Sequence, residues 1–381
     1  MIRLLTVIGA RPQIIKAAAI SRAVKSRFAG QVEEKILHTG QHYDENMSAV
    51  FFEELGIPKP DYHLGVGSGP HGEQTAKMIA KIEEVLNSER FDGVLLYGDT
   101  NSTLAGAVAA SKMDVPVFHV EAGLRSFNMT MPEEINRIVC DQLSSILFAP
   151  TQTACDNLRA EGFYDSPARF KNGKQRLVVN AGDVMYDNSM YFASLAGQRS
   201  DILSRIGVTP GKYILATIHR PGNTDDSERL RAILSTLLEI TETEGIDMVL
   251  PLHPRTRALL GKNLDADTYA RLMNAPRVRV IPPASFFDII VLEKNARIVM
   301  TDSGGVQKEA FFFGRPCAIL RPETEWVEIV RHQAGIITDA DPDRIREAYR
   351  RLSGREVAFP PLFGDGKASE HILEAIVSYL S

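Results

Sequence analysis

The sequence predicts an α/β protein built on parallel sheets. Short β-branched apolar segments alternate with amphipathic helical segments, and the same pattern restarts in the second half of the chain. The apolar segments also lack the alternation of a half-exposed strand, which indicates sheets covered on both faces. At about 150 residues per domain, the 381 residues allow two or three domains.

The first half begins with a strand–helix–strand pattern. Residues 3–8 form a predicted buried strand, and Pro12 opens a helix over residues 13–25, because proline suits a first helical turn. Further strands are predicted at residues 35–38, 93–97 and 115–120, with a helix at 101–112.

The second half repeats the pattern. Strands are predicted at residues 212–217, 247–252, 277–281, 297–301 and 316–320, and a last helix at 369–380. A polar segment at 164–174, rich in turn residues, predicts a boundary between domains 1–170 and 171–366. We expect the C-terminal helix, within 367–381, to pack on the first domain. Two similar halves imply a cleft, with ligands outside the carboxyl ends of the strands.

Composition limits the partners. The net charge of −5 gives no electrostatic case for nucleic acid. The three cysteines lie far apart and are odd in number, which argues against a disulfide framework and fits a reducing cytoplasm. No apolar stretch approaches the roughly 20 residues of a membrane helix, and no signal peptide is evident. We therefore expect a cytoplasmic protein without a membrane or nucleic-acid partner.

Polar segments follow seven of the predicted strands. They are GARP at 9–12, TGQH at 39–42, GDT at 98–100, HVEAGLR at 119–125, HR at 219–220, HPR at 253–255 and TDSGG at 301–305. Their recurrence at the same kind of position predicts a ligand site at the strand ends.

The Ser303-Gly304-Gly305 turn predicts a phosphate site. Glycines let a phosphate approach the backbone, and a helix N-terminus supplies free N–H groups. Glu309 on the following helix could accept hydrogen bonds from a ribose. The alternative is a tight turn followed by an ordinary surface glutamate.

Two basic side chains and several carboxylates form the candidate site of the first half. Arg11 and Lys16 could clamp a diphosphate, although solvated basic residues are common. Asp99 and Glu121 end adjacent strands, where crowded carboxylates suit acid–base chemistry. An N-cap role for Asp99 is the alternative.

Glu133, Glu134 and His219 also have structural alternatives. The two glutamates follow Pro132 at a helix start, where the helix dipole favours acidic residues. His219 follows a strand and is as compatible with a hydrogen-bonded scaffold role as with catalysis. No metal-ligand spacing, GxGxxG or P-loop motif occurs.

The ordered set of motifs resembles the non-hydrolysing UDP-N-acetylglucosamine 2-epimerase family. The matching segments are GARPQIIK (9–16), TGQHYDENM (39–47), YGDTNSTLAG (97–106), HVEAGLRSF (119–127), MPEEINR (131–137), FAPT (148–151), ATIHR (216–220), PLHPRTR (251–257) and TDSGGVQKEA (301–310). The resemblance implies two Rossmann-like doubly wound domains facing a cleft, as in glycosyltransferase-B-like (GT-B-like) folds. The second domain would bind UDP.

The same resemblance implies a reaction and a set of site residues. UDP-GlcNAc would be converted to UDP-ManNAc by elimination of UDP to a 2-acetamidoglucal and re-addition, without cofactor or metal. The implied catalytic residues are Asp99, Glu121, Glu133 and His219. The implied substrate-binding residues are Arg11, Lys16, Arg137, His253, Ser303, Gly304, Gly305 and Glu309. We also expect a homodimer.

Other readings remain at this stage. The segment RPETEWVE (321–328) resembles a sub-branch acting on UDP-2,3-diacetamido-2,3-dideoxyglucuronate. There, cationic side chains could meet a C6 carboxylate, and Trp326 could pack on an acetamido methyl group. The candidate cations are Arg125, Arg321, Arg331 and His332. The alternative is that residues 321–328 form a mobile loop and that Trp326 packs against the hinge. A GT-B glycosyltransferase, a hydrolysing epimerase and a catalytically silent nucleotide-sugar sensor are further alternatives.

Overall fold

The computed structural model describes residues 1–41, 57–165, 170, 173–252 and 254–381, the side chains of 254 and 255 excepted. The chain divides into two compact units. The first comprises residues 1–188 and 361–381, and the second comprises residues 189–360.

The first unit is built on a seven-stranded parallel sheet in the order β3-β2-β1-β4-β5-β6-β7. Its strands are β1 (Ile2–Ile8), β2 (Val32–His38), β3 (Tyr62–His63), β4 (Gly93–Tyr97), β5 (Val117–Val120), β6 (Ile146–Ala149) and β7 (Leu177–Asn180). Its helices are α1 (Arg11–Ser26), α2 (His71–Ser88), α3 (Asn101–Lys112), α4 (Pro132–Leu143), α5 (Gln152–Ala160) and, at the C-terminus, α16 (Ala368–Leu380).

A six-stranded parallel sheet forms the second unit, in the order β10-β9-β8-β11-β12-β13. The strands are β8 (Tyr213–Thr217), β9 (Asp247–Pro251), β10 (Val278–Ile281), β11 (Ile298–Thr301), β12 (Cys317–Ile319) and β13 (Gly335–Ile337). Helix α6 (Val184–Arg199) leads into this unit. The others are α7 (Ile202–Ile206), α8 (Pro221–Thr224), α9 (Ser227–Glu244), α10 (Pro254–Asn263), α11 (Ala266–Asn274), α12 (Phe286–Asn295), α13 (Gly304–Phe312), α14 (Val327–Arg331) and α15 (Pro342–Ser353).

The predicted fold class is confirmed: both sheets are parallel, with helices between the strands. Their central strands are predominantly apolar, as expected where helices cover both faces of a sheet, and β4 is buried at every position. In each sheet, the chain starts at a central strand, extends to one edge and then returns to fill the other side. That order is typical of doubly wound folds.

The first unit ends later than the sequence boundary at residue 170. Strand β7 pairs with β6, so residues 177–180 belong to the first sheet. Part of the polar 164–174 segment lies outside the described residues. The C-terminal helix α16 packs on α1, where Arg27 forms ion pairs with Glu370 and Glu374. No helix in the described part of the chain is long and apolar enough to cross a membrane.

Candidate active site

The candidate site residues gather where the strand order of each sheet reverses. In the first unit this point lies between β1 and β4, and in the second between β8 and β11. The loops that follow these four strands diverge to opposite sides and leave a crevice, the usual ligand position in open α/β sheets. The polar segments at 9–12, 98–100, 219–220 and 302–305 follow these strands.

Gln13 ties the two strands of the first crevice together. Its side-chain oxygen accepts hydrogen bonds from the backbone N–H groups of Gly9 and Ala10, at 2.8 and 3.1 Å. Its amide group donates to the Tyr97 carbonyl and the Thr103 hydroxyl, at 2.9 and 3.0 Å. Gln13 is fully buried, and sequence reasoning did not single it out.

Glu121 and Lys16 form an ion pair in this crevice. Their side chains are only 9% and 13% exposed. Glu121 adopts a φ of +71°, which L-residues rarely do. The pair lies close to Gly98: a Cβ added to this glycine would be 3.2 Å from the Lys16 Nζ and 3.4 Å from a Glu121 oxygen. Lys16, expected to bind the ligand's diphosphate, thus also neutralises a candidate proton acceptor.

Asp99 is not the N-cap of the next helix. Thr100 occupies that position and accepts a hydrogen bond from the Thr103 N–H. The Asp99 carboxylate instead forms an ion pair with Arg137, which also pairs with Glu134. Asp99 and Glu121 each have a cationic partner. These cations offset the repulsion between the two carboxylates that crowding alone would produce.

Glu133 and Glu134 differ in their surroundings. Glu134 is 1% exposed and accepts hydrogen bonds from the Ser126 and Phe127 N–H groups at 3.0–3.1 Å. This side chain holds the loop before α4 in place. Glu133 is exposed, with no hydrogen bond or ion pair among the described residues. Its carboxylate is therefore accessible to a ligand.

A buried charged network underlies Glu121. His119 lies between the Asp141 carboxylate, 2.7 Å from its Nδ1, and the Gly98 carbonyl, 2.8 Å from its Nε2. Arg125 lies 2.8 Å from the other Asp141 oxygen and also binds Glu161. The Arg125 side chain is only 1% exposed. Its predicted role as the partner of a sugar carboxylate is therefore wrong, because its guanidinium is committed to these buried contacts.

Asp302 organises the crevice of the second unit. This fully buried carboxylate accepts hydrogen bonds from the His219 and Arg220 N–H groups and the Asn223 side-chain amide, at 3.0–3.2 Å. The His219 Nδ1 lies 3.4 Å from an Asp302 oxygen, while half of the His219 side chain is exposed. Asp302 thus orients a histidine that remains open to a ligand.

The Ser303-Gly304-Gly305 turn opens α13. The Ser303 hydroxyl caps the helix by accepting from the Val306 N–H at 3.4 Å. Around Gly305 there is open space: the nearest atom to an added Cβ would be the Ser303 hydroxyl, 3.9 Å away. Packing within the chain therefore does not require glycine at 305. A phosphate on the helix N-terminus would use that space.

Glu309 lies one turn further along α13. Burial raises its pKa to about 7, and Lys308 opposes the shift. The neighbouring helix α12 carries Glu293, which is 1% exposed, with both carboxyl oxygens lacking a hydrogen-bond partner in the described part of the chain. Burial, followed by the charge of Glu309, raises the pKa of Glu293 well above its ordinary value.

Trp326 is engaged within the second unit. Its indole N–H donates to the Gly304 carbonyl at 2.9 Å, and the Lys308 ammonium lies 4.2 Å from the ring centroid. Trp326 is 8% exposed. These contacts stabilise the glycine turn, and they occupy a ring that sequence reasoning assigned to a sugar substituent.

Two predicted features lie outside the described residues. They are His253 and the part of the second motif that spans 42–47. Arg11 is the exposed first residue of α1. Among the side chains that are described, no group of three or more His, Cys, Asp or Glu residues could hold a metal ion.

The family model of UDP-N-acetylglucosamine 2-epimerase matches residues 25–377. Among curated relatives, the UDP-2,3-diacetamido-2,3-dideoxy-D-glucuronate 2-epimerase of Pseudomonas aeruginosa is 48% identical, over 98% of each chain. The resemblance predicted from the motifs is therefore confirmed.

Solved structures of the same family match along the whole chain. The UDP-GlcNAc 2-epimerase of Methanocaldococcus jannaschii, in complex with UDP-GlcNAc and UDP, has a TM-score of 0.79 and 38% identity. The match covers 99% of this chain and 100% of that one. The enzyme from Neisseria meningitidis, bound to UDP-GlcNAc, has a TM-score of 0.81 and 28% identity, with the same coverage. These structures have the GT-B-like fold that the sequence predicted.

Proposed function

The chain belongs to the UDP-N-acetylglucosamine 2-epimerase family of isomerases, and we propose that it inverts C2 of a UDP-linked 2-acetamido sugar. The observation that carries this proposal is the family match over 25–377, together with carboxylates at one strand-order reversal and a phosphate-type helix N-terminus at the other.

The substrate we propose is UDP-2,3-diacetamido-2,3-dideoxy-D-glucuronate. The support is the 48% identity to the P. aeruginosa enzyme named for that sugar, against 38% to the M. jannaschii enzyme named for UDP-GlcNAc. UDP-GlcNAc is the second candidate, because the full-length structural matches include enzymes bound to it. Arg125 gives the uronate no support, since its charge is already satisfied.

The reaction would proceed by elimination and re-addition. A base takes the C2 proton, the C–H electrons form a C1=C2 double bond, and the C1–O bond breaks to release UDP. A proton then reaches C2 on the opposite face, and a UDP oxygen re-forms the bond to C1. Two proton-handling groups are required, and we propose that they come from Asp99, Glu121, Glu133 and His219.

UDP would be stabilised by cations and by a helix N-terminus. The negative charge of the leaving diphosphate grows as the C1–O bond breaks, so pre-positioned N–H donors and cations favour that step. The proposed binding set is Arg11, Lys16, Arg137, His253, Ser303, Gly304, Gly305 and Glu309. In the structure Lys16 and Arg137 pair with carboxylates. A bound diphosphate would compete for these two cations.

Proton NMR in D2O tests the reaction and the substrate together. Each sugar is incubated with the protein and no acceptor; we expect a new UDP-sugar with deuterium at C2 and no free sugar. Free sugar would indicate a hydrolysing enzyme, and no product would favour a glycosyltransferase or a silent binder. A kcat/KM at least about tenfold higher for UDP-GlcNAc, some 1.4 kcal/mol, would reject the uronate as the substrate.

We also propose a cytoplasmic homodimer. The three cysteines are free and buried, as a reducing compartment allows. Light scattering during size-exclusion chromatography tests the dimer: a molar mass near 42.1 kDa would exclude it.

A further inference from the structure

Two buried histidines of the first sheet differ in their hydrogen-bond partners. Both are fully buried: His38 is the last residue of β2, and His119 lies within β5. The Nδ1 of His38 accepts a hydrogen bond from the Gly40 N–H at 3.0 Å, so this ring is neutral with its proton on Nε2. His119 has no such donor at its contacts with Asp141 and Gly98.

Both ring nitrogens of His119 face acceptors. The Gly98 carbonyl can only accept, so the Nε2 must carry a proton. Asp141 faces the Nδ1 with one oxygen and binds Arg125 and the Gly123 N–H with the other. A carboxyl that receives a guanidinium and a backbone donor remains a carboxylate, so the Nδ1 also carries a proton. The hydrogen-bond pattern therefore requires an imidazolium.

The charges around the ring are consistent with this assignment. Burial disfavours a charged ring, but interactions with Cys140 and Asp141 outweigh it and raise the pKa of His119 well above its ordinary value. Burial likewise raises the pKa of Asp141, and its contacts with His119 and Arg125 more than reverse that. Arg176 also acts on Asp141, and Glu161 balances Arg125.

The position of the ring connects it to both candidate carboxylates. Its Nε2–H holds the carbonyl of Gly98, the residue before Asp99, and Gly98 has a φ of +62°. Glu121 follows His119 by two residues, and the Gly98 N–H donates to the intervening Val120 carbonyl at 3.0 Å. A shift of the Gly98 peptide would therefore move Asp99 relative to Glu121.

We propose that His119 is a permanently protonated positioning residue, whose imidazolium fixes the Gly98–Asp99 peptide beside Glu121 for proton transfer at C2. It does not itself exchange a proton with the substrate, because its side chain is fully buried. This role in catalysis rests on the proposed function; the protonation state does not.

NMR of 15N-histidine-labelled protein tests the protonation state between pH 6 and 9. We expect one-bond N–H couplings at both ring nitrogens of His119, assigned by their loss in His119→Gln. His38 is the internal control: burial and His63 lower its pKa to about 4, so only its Nε2 should show a coupling. A single protonated nitrogen on His119 would overturn the assignment, whether or not the protein epimerises a sugar.

Two substitutions separate positioning from mere structural support. In His119→Gln the side-chain amide can still donate to the Gly98 carbonyl, whereas the shorter His119→Asn keeps only the Asp141 contact. We expect the Asn variant to lower kcat at least tenfold with KM and the UDP Kd within about twofold, and the Gln variant to recover most of that loss. Equal kcat in both variants, whether near wild type or equally reduced with a lower Tm, would reject positioning. If the wild-type protein epimerises neither sugar, the proposed function fails, and the NMR result still decides the protonation state.

Discussion

Replacing Gly305 by alanine tests the phosphate site with little effect on the fold. An added Cβ would meet only the Ser303 hydroxyl, at 3.9 Å, and the backbone of Gly305 is not in the left-handed region. Alanine is favoured over glycine within a helix by about 0.5–1 kcal/mol, so the Tm should stay constant or rise. If the UDP diphosphate rests on this turn, the methyl group occupies its position.

The expected loss follows from the contacts that the methyl group would block. A hydrogen bond to a charged group contributes about 1.5–3 kcal/mol. Displacement of one N–H···phosphate contact should therefore lower the affinity for UDP by about ten- to a hundredfold. Isothermal titration calorimetry with UDP measures this directly. An unchanged Kd in Gly305→Ala would refute the placement of the diphosphate at α13.

The second unit offers a matched control. Gly261 lies within α10, and an added Cβ there meets nothing within 4 Å. Gly261→Ala should therefore raise or preserve the Tm in the same way, and UDP affinity should not change. A parallel loss of affinity in both variants would point to a general effect of helix stabilisation, not to a blocked phosphate.

The remaining predictions concern chemistry, orientation and pH. Asp99→Asn should lower kcat by about two orders of magnitude or more while UDP binding survives; wild-type turnover would remove Asp99 from the proton-handling set. Glu133→Gln should give a similar loss of kcat with an unchanged Tm, since the side chain is exposed and has no partner among the described residues. Asp302→Asn should reduce the free energy of unfolding by about 1.5–3 kcal/mol in urea titrations and should also lower kcat; unchanged stability would contradict the hydrogen bonds assigned to that carboxylate. Glu293 and Glu309 have pKa values raised above 4.5, the ordinary pKa of a glutamate. The free energy of unfolding of the wild-type protein should therefore fall as pH rises from 4.5 through about 7. Glu293→Leu should then raise stability at pH 8 by about 1–3 kcal/mol and less at pH 4.5, as calorimetric melts would show; a loss at pH 8 would mean that the carboxyl has a partner after all.

The sequence predicted the central strands and the loops that follow them, because these strands are long enough to show continuous apolar character. It did not predict β3, β6, β7 and β13, which have two to four residues. Segments that short carry no periodicity of their own. Their strand conformation depends on pairing with the neighbouring strands β2, β5, β6 and β12, respectively.

The sequence could predict where the candidate site residues lie in the fold, but not which side chains they contact. Residue types at strand ends placed Asp99 and Glu121 correctly beside the strand-order reversal, yet no sequence pattern shows that each would face a cation. Gln13 was hidden inside a motif because a glutamine in a first helical turn is unremarkable until its four partners are known. The prediction for Arg125 was wrong because its two ion-pair partners, Asp141 and Glu161, are distant in sequence and could not be foreseen.

The side-chain contacts of Glu121 hold its backbone in a strained conformation. At a φ of +71° a residue with a Cβ costs about 1–2 kcal/mol, a cost that glycine avoids. Glycine would also leave the nearly buried Lys16 ammonium without its carboxylate partner, and loss of one member of a buried ion pair costs about 3–5 kcal/mol. Stability and retention of the candidate base therefore favour the same residue, so a screen for heat resistance alone should keep Glu121.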